Sequence, residues 1–372
     1  MPTKLETEFA AIEAAFYKLL YLDEDPVIAK LVYASYVANQ LKMPPVWIMI
    51  LGPPGCGKTE FVTAFQKCES SKFYSSINAA GLLSGYDETA SVLSDDADGK
   101  TICVGDMSSL IEGNRERASE VFGLLRHAYD GAVNRATGKG VIEFTGKIGF
   151  LCAATENIDS YRDFMSSLGE RFIYIRMRTQ PVDDVLRIAL GNSARHDAKK
   201  ESIQLATKAM IDNAQLQTKG VPLDADIEDT MVEVAKVIAR GRVHVERDRQ
   251  GEIMSTNLRS EVPTRVVKQL LAIYVGLHNI GTPDHEKEDI LLRICYDSFT
   301  PSRMEILKRV VYQGNRATRV DMEKKSLMPR RPTKISIEDL MLLRLVDKPI
   351  GGGKFCVASP TLVRAVQRWR DN

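Results

Sequence analysis

The sequence predicts an α/β fold: a parallel sheet between helices, then a mostly helical stretch, then a separate basic segment. Three observations carry this. Short apolar runs at Val46–Leu51, Thr101–Gly105, Ile148–Ala154 and Phe172–Met177 alternate with helical periodicity, and strands buried on both faces read as such continuous runs. A glycine-rich loop, Gly52–Thr59, leaves the first run and opens a helix. Charge is also unevenly divided: residues 300–372 hold 16 Lys/Arg against 7 Asp/Glu, a net +9, while the remainder sums to −8.

The elements follow in order. Phe9, Ile12, Phe16, Leu19 and Leu20 recur at helical spacing within residues 5–42. Asp23–Pro26 interrupts that helix, Val27–Leu41 resumes it, and Met43-Pro44-Pro45 stops it. Thr59–Cys68 follows the loop as a helix. From Val182 to Ile280 the pattern is mostly helical, with a charge-rich loop or hairpin at Arg240–Ser255 and a hinge at Gly281–Glu288. Four segments result: an N-terminal helical segment (1–42), an α/β core around the glycine-rich loop (43–180), a helical lid (181–282) and a C-terminal domain (283–372).

The 372 residues allow about two or three domains. An apolar content of 44% and a charged content of 27% are ordinary for a globular protein. Six cysteines, at 56, 68, 103, 152, 295 and 356, form neither a C-x-x-C pair nor a zinc-spaced cluster with histidine. Reduced thiols in a cytoplasmic protein are the expectation. The polar start Met1–Glu8 lacks signal-peptide character. No run approaches the roughly 20 apolar residues of a membrane span, so no membrane partner is expected.

Gly52-Pro53-Pro54-Gly55-Cys56-Gly57-Lys58-Thr59 fits G-x-x-x-x-G-K-[ST] at every position and is followed by Glu60. Glycines let backbone N–H groups turn onto phosphate oxygens, Lys58 reaches the β- and γ-phosphates, and the Thr59 hydroxyl ligates magnesium. The expected cofactors are ATP and Mg2+. Such a site also needs a carboxylate to organise the metal, and Asp106, closing Thr101–Gly105, is the candidate. Met107 stands where many such ATPases carry the glutamate base. Glu112, Glu116 or Glu88 can substitute, or hydrolysis is slow. Thr155, or alternatively Asn157, ends Leu151–Ala154 with a polar group suited to orienting water. Arg171 opens Phe172–Met177, where a guanidinium can reach a neighbouring subunit's nucleotide.

The ordered set GPPGCGKT, ICVGD, LCAATEN and GERF, then a helical lid, resembles an AAA+ ATPase over residues 25–280. Thr137-Gly138 and Gly140 suit a tight turn ahead of the alternating Val141–Phe144. A hairpin before the first sensor strand is similar to that of minichromosome-maintenance helicases and their relatives on phages and mobile elements. That resemblance implies a pore-facing hairpin touching DNA with a basic tip, here Arg135 and Lys139. It also maps Arg265, in Val262–Leu270, onto the lid arginine that contacts the γ-phosphate. The chain lacks those helicases' N-terminal zinc and DNA-binding collar.

Residues 300–372 read as three helices, Ser302–Tyr312, Arg319–Leu327 and Ile335–Val346, then a short hairpin around Gly351-Gly352-Gly353-Lys354. This looks like a winged helix-turn-helix. The third helix, approached by Arg330, Arg331 and Lys334, is expected in the major groove, with Lys354 on phosphate. A positive charge of this size favours nucleic acid through counterion release.

The leading expectation is a DNA-associated ATPase forming a homo-oligomeric ring, expected as a hexamer, that moves on or remodels DNA in replication of a phage, plasmid or integrated element, with replication proteins as further partners. The alternative is an ATP-switched DNA-binding loader with little hydrolysis. A polymerase-remodelling activator ranks lower, because its G-A-F-T-G-A loop is absent.

Overall fold

The computed structural model describes residues 3–83, 91–108, 115–137, 140–161, 171–218, 220–248, 250–256, 258, 260–324, 328–347 and 354–369. The chain groups into two compact units. The first comprises residues 1–161, 170–222 and 271–284; the second comprises 162–169, 223–270 and 285–372. This division differs from the four consecutive segments suggested by the sequence.

The first unit is α/β. Helices α1 (Lys4–Leu19) and α2 (Ile28–Gln40) precede β1 (Trp47–Leu51), and α3 (Lys58–Thr63) follows the glycine loop. β2 (Ser71–Tyr74), α4 (Ala79–Leu82), β3 (Thr101–Val104) and α5 (Arg115–Tyr129) come next. A hairpin, β4 (Ala132–Thr137) and β5 (Gly140–Thr145), leads into β6 (Gly149–Ala154) and β7 (Phe172–Arg176). Five strands form one parallel sheet in the order β2-β3-β6-β1-β7.

Burial explains which strands were readable. Every residue of β1, β3 and β6 is buried, as is all of β7 except Arg176. β2, of sequence Ser-Lys-Phe-Tyr at the sheet edge, is only half-buried and has no apolar run to betray it. Trp47, Phe150 and Phe172 are register neighbours, and their rings lie 5.1–5.5 Å apart with Tyr129 beside Trp47. A second aromatic cluster joins α1, α2 and the α3 region: Phe16 stacks on Phe61 at 4.8 Å and Tyr36 on Phe65 at 4.0 Å. Offset and edge-on pairs of this kind add to the stabilisation from burial.

Two helices that the sequence places in the lid belong to this first unit. They are α6 (Val182–Asn192) and α7 (His196–Asp212). Asn192 donates to the Lys18 and Leu19 carbonyls, and the Tyr33 hydroxyl meets that of Thr207 at 2.6 Å.

The second unit contains α8 (Ala225–Gly241), the first part of α9 (Thr264–Asn279), and α10 (Asp284–Asp297) from residue 285. The hinge expected at Gly281–Glu288 is shorter than that, because α10 already starts at Asp284. Thr282-Pro283-Asp284 is a helix-entry signal. α11 (Pro301–Tyr312), α12 (Arg319–Lys324), α13 (Arg330–Leu342), the strands β8 (Val346–Asp347) and β9 (Cys356–Val357), and α14 (Pro360–Trp369) complete the chain. β8 and β9 pair antiparallel, and Ala317 bridges Phe355 alongside them. α13 begins earlier than the expected Ile335: Arg330–Lys334 lie in its first turns, where Pro332 lacks no hydrogen bond that the helix needs.

Buried ion pairs organise this unit. Asp339 accepts from Arg247 at 2.7 Å and from Arg303 at 3.0 Å, and Arg303 also donates to the Gly241 and Val243 carbonyls. Arg293 and Asp297 pair at 2.7 Å with both side chains 1% exposed. Among the described residues no helix is long and apolar enough to cross a membrane.

Candidate nucleotide site

The glycine loop leaves the carboxyl end of β1 and turns straight into α3. Gly55 and Gly57 adopt φ of +80° and +88°, a left-handed backbone that glycine reaches without cost. Left-handed residues of this kind are what lets successive backbone amides turn toward one anion. A Cβ on Gly57 would meet Leu20 Cδ1 at 2.9 Å, and one on Gly52 would meet Cys56 Sγ at 2.9 Å, whereas Gly55 faces open space. Leu20, outside the motif, therefore forms part of the loop's support.

Lys58 is buried, and its ammonium donates to the Gly52 carbonyl at 2.8 Å and the Pro53 carbonyl at 2.7 Å. Its charge thus lies across the mouth of the loop. Pro53, Pro54, Gly55 and Thr59 are exposed, and Gly57 caps α3 without a side-chain hydrogen bond. Burial pushes the Cys56 thiol up, with Lys58 pulling the other way. Glu60 faces elsewhere: its carboxylate meets Lys200 at 3.3 Å and His196 at 3.4 Å on α7.

The sheet order decides what else shares this edge. β6 lies between β1 and β3, with Leu51 opposite Ala154 and Val104 opposite Cys152. All three run parallel, so Gly52, Thr155 and Asp106 emerge at the same carboxyl edge, where open α/β sheets bind ligands. Asp106 is exposed. Met107 is 0% exposed, and its amide donates to the Ala153 carbonyl at 2.8 Å. Ser108 ties the two strand ends together: its amide donates to Asp106 Oδ1 at 2.7 Å, and its hydroxyl accepts from the Thr155 amide at 2.8 Å. Sequence reasoning passed over Ser108, since a lone serine beyond a strand has no spacing signal.

Asn157 is exposed in a short 3-10 turn, Glu156–Tyr161. In that same turn Asp159 accepts both guanidinium nitrogens of Arg176, at 2.7 and 2.8 Å. Arg176 is the register partner of Leu51, so this bidentate pair links the ends of β6 and β7, on either side of β1.

Arg171 is buried, donates to Asp130 at 3.0 Å and lies 5.8 Å from the Tyr129 ring centre. Its guanidinium is thus engaged within its own chain, at the foot of the hairpin. Arg135 is not at a hairpin tip. It lies within β4, opposite Ile142, and its guanidinium turns back to Glu120 and the Ala79 carbonyl. Lys139 falls outside the described residues, as do Glu88 and Glu112. Glu116 is exposed on α5.

In the second unit Arg265 pairs with Glu261 at 3.4 Å. Arg330, Arg331 and Lys334 are exposed on the first turns of α13, and Lys354 is exposed just before β9. A turn closed by the Arg247–Ile253 bridge borders α13: Arg247 donates to Glu338 at 3.1 Å, and Arg331 reaches the Gln250 carbonyl at 3.5 Å. Among the described residues no group of three or more His, Cys, Asp and Glu side chains could hold a metal ion. No family model matches the chain, and no curated protein matches its sequence.

Proposed function

We propose that this chain is an ATP- and magnesium-binding AAA+ protein that assembles on DNA and couples ATP hydrolysis to movement along it or its remodelling. One observation carries the reading: Gly52–Thr59, Asp106 and Thr155 share the carboxyl edge of three adjacent parallel strands. The loop fits a triphosphate. Its left-handed glycines turn amides inward, the uncapped first turn of α3 adds donors, and Lys58 is already poised across the mouth.

Magnesium usually keeps several waters and takes one or two protein oxygens plus phosphates. An exposed Thr59 hydroxyl and an exposed Asp106 carboxylate suit that pattern. When bound, the ion neutralises charge on the β- and γ-phosphate oxygens. Lys58 exchanges the loop carbonyls for phosphate oxygens. The Thr155 hydroxyl orients water at the γ-phosphate end.

DNA association rests on the +9 charge of residues 300–372, the winged-helix-like order of α11–α13 and β8–β9, and the exposed Arg330, Arg331, Lys334 and Lys354. Assembly into a ring is supported by an exposed apolar stripe on α6. Val182, Leu186 and Leu190 recur every fourth residue and are 68%, 60% and 78% exposed. Mobile-element replication follows from the family resemblance alone.

A second reading, an ATP-switched loader with little turnover, is favoured by Met107. Its fully buried side chain replaces the usual base. Steady-state ATP hydrolysis with and without single- and double-stranded DNA, alongside Lys58→Ala and Asp106→Ala, separates the two. DNA-stimulated turnover lost in both variants supports the motor. Lys58-dependent ATP binding without turnover supports the loader. Undiminished ATP binding in Lys58→Ala removes the site altogether.

A further inference from the structure

The geometry points to Ser108 as a positioning residue that sets the Asp106 carboxylate and the Thr155 backbone as one unit. This rests on the nucleotide-site reading above.

Ser108 lies four residues beyond the end of β3 and is 5% exposed. Its two polar groups face two different strand ends. The amide donates to Asp106 Oδ1 at 2.7 Å, which restricts the rotamer of that exposed carboxylate. The hydroxyl accepts the Thr155 amide at 2.8 Å. That amide is the first beyond β6, so without Ser108 a partly buried N–H would lose its acceptor. Between them, the Met107 amide on the Ala153 carbonyl and the fully buried Met107 side chain hold the turn against β6.

The consequence is a fixed offset between the metal-organising carboxylate and the group that would orient water. Groups behind a metal's direct partners tune its affinity without touching it. In this chain the position after Asp106 holds an apolar side chain directed inward, so among the described residues of this turn Ser108 is the polar one bonded to both strand ends.

The test measures binding of a fluorescent ATP analogue to the full chain, in EDTA and across a magnesium titration, for wild type, Ser108→Ala and Ser108→Thr. Melting temperature is followed in parallel. Ser108→Ala keeps the amide hydrogen bond to Asp106 but removes the acceptor of the Thr155 amide, so it is expected to leave metal-free nucleotide affinity near wild type and to lower the melting temperature only modestly. It should raise the half-saturating magnesium concentration about 10-fold, and Ser108→Thr, which keeps the hydroxyl, should restore it. A magnesium midpoint equal to wild type in Ser108→Ala overturns the inference. So does a loss of metal-free affinity in step with melting temperature, which would mean a purely structural role. Wild type that binds no analogue fails in a separable way: it overturns the nucleotide site, and this inference with it.

Discussion

Arg171 and Asp130 pair at 3.0 Å, fastening the start of β7 to the turn between α5 and β4. Arg171 is 9% exposed in its side chain and Asp130 53%, so the carboxylate is the open partner. An arginine that serves a neighbouring subunit must leave this partner. Arg171→Ala is expected to lower turnover about 1,000-fold with ATP-analogue binding unchanged, while Asp130→Asn keeps turnover. If Arg171→Ala only lowers the melting temperature, the residue is a hairpin anchor and nothing more.

Restoring glutamate at position 107 should not create a faster enzyme. Met107 is 0% exposed, and a buried carboxylate without a partner is strongly disfavoured. Met107→Glu is expected to destabilise the protein by about 3 kcal/mol, read by thermal or denaturant unfolding, with turnover no higher than wild type. A stable variant with raised turnover would show that this side chain can swing to the site.

Arg330 and Lys334 lie exposed one turn apart on α13. Lys334 is only loosely paired, with Glu338 at 3.6 Å. Arg330→Ala and Lys334→Ala should each weaken duplex binding and reduce the slope of log affinity against log salt by about 1. An unchanged slope in both variants would move the phosphate contacts off this helix.

Lys147 provides a pH test of the hairpin's root. Its ammonium donates to the Asn39 and Leu41 carbonyls, and burial pushes its pKa down to about 8, with Asp98 opposing. The folded state then releases this proton near pH 8, while the unfolded chain keeps it to about 10.5. The unfolded state binds more protons across that window, so stability rises with pH there. Lys147→Met should flatten the rise in melting temperature between these pH values. A rise identical to wild type would assign it to other groups.

What could be read from the sequence follows burial. β1, β3, β6 and β7 stand out because strands covered on both faces are almost wholly apolar. β2 does not, since an edge strand with Lys72 and Ser71 carries no such run. The hairpin was legible from its turn residues, yet Arg135 was misplaced, because charge near a turn says nothing of the partner that draws the side chain back, here Glu120. The glycine loop was fully legible, being contiguous and stereochemically constrained. Ser108 and the Arg176–Asp159 pair were not, because they depend on β6 lying between β1 and β3. The grouping of residues 223–270 with the C-terminal helices was equally hidden, for it rests on pairs such as Arg303 with Asp339.

The place of β6 limits what can move. A strand bonded on both sides cannot slide without breaking two ladders at once, so β1, β3 and β6 behave as a stiff plate. The hairpin joins that plate through residues 146–148, where Gly146 bonds the Gly131 carbonyl and Lys147 bonds Asp98 and the end of α2. It is therefore clamped at its root, and Arg135, bonded to Glu120 and the Ala79 carbonyl, ties β4 down along its flank as well. A load on the described part of either strand is thus met at residues 146–148, where Lys147 holds the end of α2.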